Sequence, residues 1–157
     1  MGSTVVYTLG YQGLDIDRYL RILATSGIGL VADVRDKPWS HKSDFCQAAL
    51  EAHLDRHGIG YRHVRSVGNP SSIRYSAKTT GEALDRYRDH LEKNSHAIED
   101  MLRLISEANG EGNAVCLTCF EGLHTKCHRS VLADLLVRRD SALVFEHLSG
   151  VELPLFS

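Results

Sequence analysis

The hydrophobic positions of the chain fall into short, nearly continuous runs that alternate with longer segments of helical periodicity. Short runs rich in β-branched residues predict buried strands, whereas apolar positions three and four residues apart predict amphipathic helices. The pattern predicts five strands, at residues 5–9, 29–34, 59–64, 114–119 and 143–148. The predicted helices run from about Asp15 to Gly27, from an N-cap at Ser43 or Asp44 to about Gly58, from Glu82 to Asn109 with a break near Asn94, and from Ser130 to Val137.

This order of elements predicts a single α/β domain over residues 1–157. Strands that alternate with helices form a mostly parallel sheet with right-handed crossovers, so we expect a Rossmann-like, three-layer fold with five strands flanked by helices. Residues 65–80 are rich in Ser, Gly, Asn, Pro and Thr and predict a long loop. In parallel sheets ligands bind outside the carboxyl ends of the strands, which is where a site is expected.

The composition removes several classes of protein from consideration. The chain is 43% hydrophobic and 24% charged with a net charge of −2, which is ordinary for a folded domain. No apolar run is long enough to cross a bilayer, and the first residues do not resemble a signal peptide. Four cysteines without an export signal predict free thiols in the cytoplasm. The oligomeric state is left open.

Polar residues follow the ends of several predicted strands. Tyr11 follows the first strand, Asp33 and Arg35 end the second, and Cys119 and Glu121 end the fourth. Residues two apart on an extended strand share a face, so Asp33 and Arg35 can point at the same site. We predict Asp33 as a catalytic acid or base, or as the residue that orients an arginine, and Arg35 and Tyr11 as substrate-binding residues.

The segment 119–129 carries the densest candidate chemistry. Cys119 ends a strand just before a helix, and cations or a helix N-terminus would lower its pKa and make it a nucleophile. Cys116 lies three residues earlier and is expected on the opposite face of the sheet, so the pair is not predicted to act together. Glu121 and His128 are candidate general acids or bases.

Arg129 is predicted to bind an anion. A cation in the first turn of a helix opposes the helix dipole, so its placement suggests a negatively charged partner. A substrate phosphate would fit, and so would an internal ion pair with Glu121 or Asp33.

Several of these motifs together resemble a known bacterial family. They are Thr8-Leu9-Gly10-Tyr11, Asp33-Val34-Arg35-Asp36-Lys37-Pro38-Trp39-Ser40, Gly58-Ile59-Gly60-Tyr61, Cys119-Phe120-Glu121 and Cys127-His128-Arg129-Ser130. In this order and over nearly the whole chain they resemble DUF488, a family that implies a compact α/β domain but no settled activity, substrate or cofactor. One departure is Val67-Gly68-Asn69, where the family often has Leu-Gly-Gly.

Three functions remain open on the sequence alone. The first is an enzyme of unassigned reaction class that acts on a phosphate-bearing substrate, such as a nucleotide or a base in nucleic acid, without a cofactor. The second is a metal-binding protein that uses Cys119, His124, Cys127 and His128. The third is a nucleic-acid-binding module that uses the basic stretch 61–81, which has no acidic residue. Trp39, Arg74 and Tyr75 are candidates to contact a base or a phosphate in the first or the third case.

Overall fold

A computed structural model describes residues 2–150 of the chain. It contains five parallel strands in the order β3-β2-β4-β1-β5, which confirms the predicted α/β sheet. The strands are β1 (Thr4–Gly10), β2 (Ile28–Asp33), β3 (Gly60–His63), β4 (Ala114–Cys119) and β5 (Leu143–His147). The helices are α1 (Ile16–Thr25), α2 (Gln47–Arg56), α3 (Ser71–Ser76), α4 (Thr80–Glu92), α5 (Ser95–Gly110) and α6 (His128–Arg139).

Two hydrophobic clusters cover the two faces of the sheet and complete the three layers. One contains Leu20, Leu23, Leu50 and Leu54 from α1 and α2, together with Cys116 from β4. The other contains apolar residues of α4, α5 and α6, together with Cys119. Cys116 and Cys119 therefore lie on opposite faces of the sheet, as strand alternation predicts.

Local sequence signals explain the first crossover. Asp15 caps α1 by accepting a hydrogen bond from the backbone N–H of Arg18 at 2.8 Å. Gly27 ends the connection with φ of +70°, a left-handed conformation that suits glycine. None of the helices in residues 2–150 is both long and apolar enough to span a lipid bilayer.

Two predictions of local structure are wrong. Residues Ser43–Phe45 form a 3₁₀ turn, and α2 begins only after Cys46. The ring of Phe45 stacks on Tyr11 with 4.3 Å between centroids, a tertiary contact that holds this turn apart from the helix. The predicted loop 65–80 contains a second 3₁₀ turn at Arg65–Val67 and the short helix α3, whose Ile73 is buried. The predicted break near Asn94 is confirmed, because α4 and α5 are separate helices.

Candidate functional site

A cavity of about 760 Å³ opens at the carboxyl ends of β1, β2 and β4. We call it the main cavity. It contains seven of the nine predicted catalytic and substrate-binding residues, namely Tyr11, Arg35, Trp39, Arg74, Cys119, Glu121 and His128. Asp33 and Arg129 do not line it. The rule that ligands bind at the carboxyl ends of parallel strands thus identifies where the polar groups converge.

Asp33 does not face a ligand in the main cavity; it holds Arg35, which does line the cavity. It is fully buried and pairs with Arg35, with 2.7 Å between Arg35 Nη2 and Asp33 Oδ2 and 2.8 Å between Arg35 Nε and Asp33 Oδ1. Tyr61 donates a further hydrogen bond to Asp33 Oδ2 at 2.6 Å. Burial disfavours the charged guanidinium, but the bonds and charge of Asp33 outweigh this and raise the pKa of Arg35. The predicted catalytic role of Asp33 does not fit this geometry, whereas the orienting role does.

Arg35 is held in one orientation between Asp33 and the cavity. Its Nη1 atom donates to the hydroxyl of Tyr11 at 3.3 Å, and its guanidinium lies 5.5 Å from the centre of the Tyr11 ring. His63 contacts the Arg35 carbonyl oxygen at 2.7 Å through Nε2. A bidentate ion pair fixes the plane of a guanidinium as well as its position. Arg35 is therefore a preorganised cation at the floor of the main cavity.

Cys119 and Cys127 form a close thiol pair. Both side chains are 1% exposed, and their sulfurs lie 2.6 Å apart. Cys127 is the N-cap of α6, where backbone N–H groups point outward. Burial opposes ionisation of Cys127, but hydrogen bonds from Cys119 and the charge of His128 lower its pKa well below the ordinary value of 9.0. Burial and the neighbouring Cys127 instead raise the pKa of Cys119. The lowered thiol pKa expected for Cys119 is therefore found at Cys127.

His128 completes an ion pair with Cys127. Its Nδ1 atom lies 3.5 Å from the Cys127 sulfur, and its Nε2 atom lies 2.8 Å from the carbonyl oxygen of Val34. Burial disfavours the imidazolium, yet the charge and hydrogen bond of Cys127 raise the pKa of His128. In the charged form both ring N–H groups have acceptors. Tyr87 packs edge-on against the ring at 5.1 Å and keeps it in place. His128 thus stabilises a thiolate, which differs from the predicted role as a free acid or base.

Glu121 is the carboxyl group of the main cavity nearest the thiol pair. Burial raises its pKa above the ordinary value of 4.5, and the negative charge at Cys127 raises it further. A carboxyl group with a raised pKa keeps its proton to a higher pH than a free one and is a candidate proton donor. This position agrees with the predicted acid or base role.

Arg129 lies behind the loop that follows β4. Its side chain is fully buried, and Nη2 donates to the carbonyl oxygens of Glu121 at 2.8 Å and Gly122 at 3.1 Å. Nη1 donates to the hydroxyl of Thr8 at 3.2 Å. Neither predicted ion pair, with Glu121 or with Asp33, occurs among the side chains of residues 2–150. The geometry does not fit an anion anchor, since the guanidinium binds carbonyl oxygens and holds the loop.

Gly10 allows this loop to close over β1. A Cβ atom at this position would overlap the carbonyl oxygen of Glu121. Tyr11 and Gln12 then donate backbone hydrogen bonds to the carbonyls of Cys119 and Phe120, at 3.1 and 2.8 Å. The absence of a side chain at Gly10 therefore brings Glu121 to the cavity wall.

The predicted set of metal ligands is not brought together. His124 stacks on His147 with 3.8 Å between ring centroids and is not part of the group of ligand atoms around the thiol pair. Among residues 2–150, the cluster close enough to share an ion is Cys119, Glu121 and Cys127, whose candidate ligand atoms all lie within 4.8 Å of one another. Two thiolates on one tetrahedral zinc would lie about 3.8 Å apart, given Zn–S bonds of ~2.3 Å. The 2.6 Å separation is shorter, so the two sulfurs would have to move apart to hold such an ion.

The basic stretch 61–81 is divided between two parts of the surface. Arg74 and Lys78 line the main cavity, whereas Arg62 lines a smaller cavity of about 290 Å³ at the other end of the sheet. The main cavity also gathers cations from the loop after β2 and from the segment before α6. Its six Lys and Arg side chains, Arg35, Lys37, Lys42, Arg74, Lys78 and Lys126, face two carboxylates, Asp36 and Glu121.

Two residues of the site were not predicted with these properties. The sequence pattern marks Cys127 only as a metal ligand, although its place just before a helix with an adjacent histidine is a signal for a low thiol pKa. In the sequence, Asn69 stands out only as a departure from the family pattern. Its side chain is 8% exposed, lines the main cavity, and leaves Oδ1 buried without a hydrogen-bond partner in the described part of the chain.

Comparison with known proteins agrees with the motifs. Searches against curated proteins and solved structures gave no match. The family model for the domain of unknown function DUF488 matches residues 15–136, which is more than three quarters of the chain and includes most of the residues around the main cavity. The chain therefore belongs to the DUF488 family.

Proposed function

We propose that the protein is an enzyme that binds a phosphate-bearing substrate in the main cavity and reacts with it through the sulfur of Cys119. The observation that carries this proposal is the Cys119–Cys127 pair, with sulfurs 2.6 Å apart, beside His128 and Glu121. A thiol whose proton can move to an adjacent base is an activated nucleophile.

Cys119 is assigned as the nucleophile because it lines the main cavity, whereas Cys127 does not. As the Cys119 sulfur forms a bond to an electrophilic atom of the substrate, its thiol proton passes to the Cys127 sulfur. The leaving group departs with the bonding electron pair and takes a proton from Glu121, whose pKa is raised by burial. His128 stabilises the thiolate form of Cys127 before this transfer.

The cations of the main cavity support binding of a phosphate. Four of them, Lys37, Lys42, Arg74 and Lys78, come from the loop after β2 and from the region of α3 and α4 on either side of the opening. Arg35 adds a charge fixed by Asp33. Arginine and lysine bind phosphate through charge-assisted hydrogen bonds, and a partly enclosed site strengthens them. The excess of six cations over two carboxylates favours an anionic substrate.

The thiol part of the proposal is tested by the rate at which iodoacetamide alkylates Cys119, read by mass spectrometry of peptides. In Cys127→Ser the base is absent, and we expect the rate at neutral pH to fall by about tenfold or more. Cys116→Ser is the matched control, because Cys116 lies on the same strand and faces the other layer. A wild-type rate in Cys127→Ser would overturn the activation of Cys119.

The phosphate part is tested by protection of Cys119 from the same reagent by inorganic pyrophosphate. We expect protection in the wild type and its loss in the double variant Arg74→Ala/Lys78→Ala. The control is Arg62→Ala/Arg65→Ala, which removes two cations of the same stretch that do not line the main cavity. Absence of protection in the wild type would overturn the phosphate-bearing substrate.

A further inference from the structure

One polar atom at the main cavity has no partner in the protein. Asn69 Oδ1 is buried and makes no hydrogen bond within residues 2–150, although the side chain lines the cavity. A buried carbonyl oxygen without a donor is costly and is uncommon in folded proteins. A bound ligand that donates an N–H or O–H to this oxygen would remove the cost.

The backbone around Asn69 is firmly placed. Gly68 packs so closely on the next loop that a Cβ atom would lie 2.5 Å from Cα of Asp36. Tyr87 donates to the carbonyl oxygen of Val67 at 2.6 Å. Asn69 is therefore held at the cavity wall by a supported segment, as a residue that recognises a ligand requires.

A phosphate group alone does not satisfy Asn69. Ionised phosphate oxygens accept hydrogen bonds and do not donate them, so the donor must belong to another part of the ligand. The same cavity contains three aromatic side chains, Tyr11, Trp39 and Phe120. Trp39 is 61% exposed and Phe120 is 44% exposed, so both offer surface to a planar group. Aromatic faces of this kind stack on nucleobases.

We propose that Asn69 is a specificity-determining residue and that the substrate is a nucleotide whose base donates an N–H to Asn69 Oδ1. The phosphate then lies among the cations Lys37, Lys42, Arg74 and Lys78. This inference rests on the proposed function, because it takes the phosphate-bearing substrate as its starting point. A cavity of about 760 Å³ has room for such a ligand.

The experiment measures affinity by calorimetry for the 5′-monophosphates of adenosine, guanosine, cytidine and uridine, and for ribose 5-phosphate, which has no base. We expect one or more nucleotides to bind the wild type about tenfold more tightly than ribose 5-phosphate. In Asn69→Ala this preference is lost while the affinity for ribose 5-phosphate is unchanged. Asn113→Ala, which alters an asparagine of the smaller cavity, is expected to keep the preference.

A second variant checks that the change at Asn69 does not act through folding. Asn69→Leu keeps the size of the side chain and removes the unpaired oxygen, so its melting temperature without ligand is expected to equal or exceed that of the wild type. A lower melting temperature together with a retained base preference would overturn the role of Asn69.

The remaining outcomes separate this inference from the proposed function. Equal affinity for nucleotides and ribose 5-phosphate would overturn the nucleotide assignment and leave the phosphate site in place. Binding of a single-stranded oligonucleotide without binding of any mononucleotide would overturn it in favour of a nucleic-acid substrate. Failure of every phosphate compound to bind would overturn the proposed function itself.

Discussion

The loop after β2 and the first turn of α6 each bring one arginine into the interior, and the two have different partners. Arg35, after β2, forms a bidentate ion pair with Asp33 and keeps Nη1 directed to Tyr11 at the main cavity. Arg129, after β4, binds two backbone carbonyls and Thr8, and its Nε atom has no partner in the described residues. The first arrangement is charge-balanced, whereas the second leaves a positive charge in the interior.

Because of this difference, Arg35 and Arg129 have different roles. The Asp33–Arg35 pair is a rigid support that presents a cation to a ligand. The charge of Arg129 acts on the thiols instead. Burial raises the pKa of both Cys119 and Cys116, to about 12 for Cys116, and the positive charge of Arg129 opposes the rise. An arginine that a motif marks as an anion anchor therefore serves to hold a loop and to favour negative charge at the neighbouring cysteines.

The largest effect is expected for removal of the carboxylate beneath Arg35. Asp33→Ala leaves a buried guanidinium without its ion-pair partner, and such changes cost about 3–5 kcal/mol of the free energy of unfolding. Urea denaturation measures the loss. The double variant Asp33→Ala/Arg35→Ala is expected to be more stable than Asp33→Ala alone, and a double variant as unstable or worse would contradict the charge argument.

A smaller loss is expected at Arg129. Arg129→Met keeps much of the side-chain volume but removes hydrogen bonds from a charged donor, for which about 2–3 kcal/mol is typical. The same loop carries Glu121, so the rate at which iodoacetamide alkylates Cys119 is also expected to differ from that of the wild type. Arg129→Met with wild-type stability in urea would show that the guanidinium does not hold the loop.

The two regions are also expected to differ in how the free energy of unfolding depends on pH, because Cys127 and His128 both have shifted pKa values. Cys127 has a lowered folded pKa, so its contribution to stability is full above pH 9.0 and is lost as the pH falls through that pKa. His128 has a raised folded pKa, so its contribution is full below pH 6.5 and is lost as the pH rises through that pKa. While both groups are charged, their contributions to the free energy of unfolding change with pH in opposite directions, and the two slopes cancel.

The stability difference between the wild type and Cys127→Ser should therefore be level at intermediate pH and fall on both the acid and the alkaline side. Each slope is at most about 1.4 kcal/mol per pH unit. Tyr61→Phe is the control in the other region, because burial and the charge of Asp33 raise the pKa of Tyr61 and keep its phenol protonated. Matching profiles for the two variants would rule out the thiolate–imidazolium pair.

Local patterns were sufficient for the elements whose boundaries depend on nearby residues. The strand runs, the Asp15 cap and the left-handed Gly27 are read directly from spacing and residue type. The same patterns failed at 43–45 and 65–80. There the stacking of Phe45 on Tyr11 and the burial of Ile73 decide the conformation. Both contacts join segments that propensity treats as independent.

The sequence by itself determined the parallel α/β fold, the family and the end of the sheet at which polar groups collect. Strand order placed β4 between β1 and β2, and this brought Arg129 to Thr8 and His128 to the carbonyl of Val34. Only the tertiary structure decided which cysteine is the thiolate, which arginine faces the cavity and that Asn69 lacks a partner. These properties depend on burial and on hydrogen bonds between residues distant in the chain, which periodicity and motif spacing do not encode.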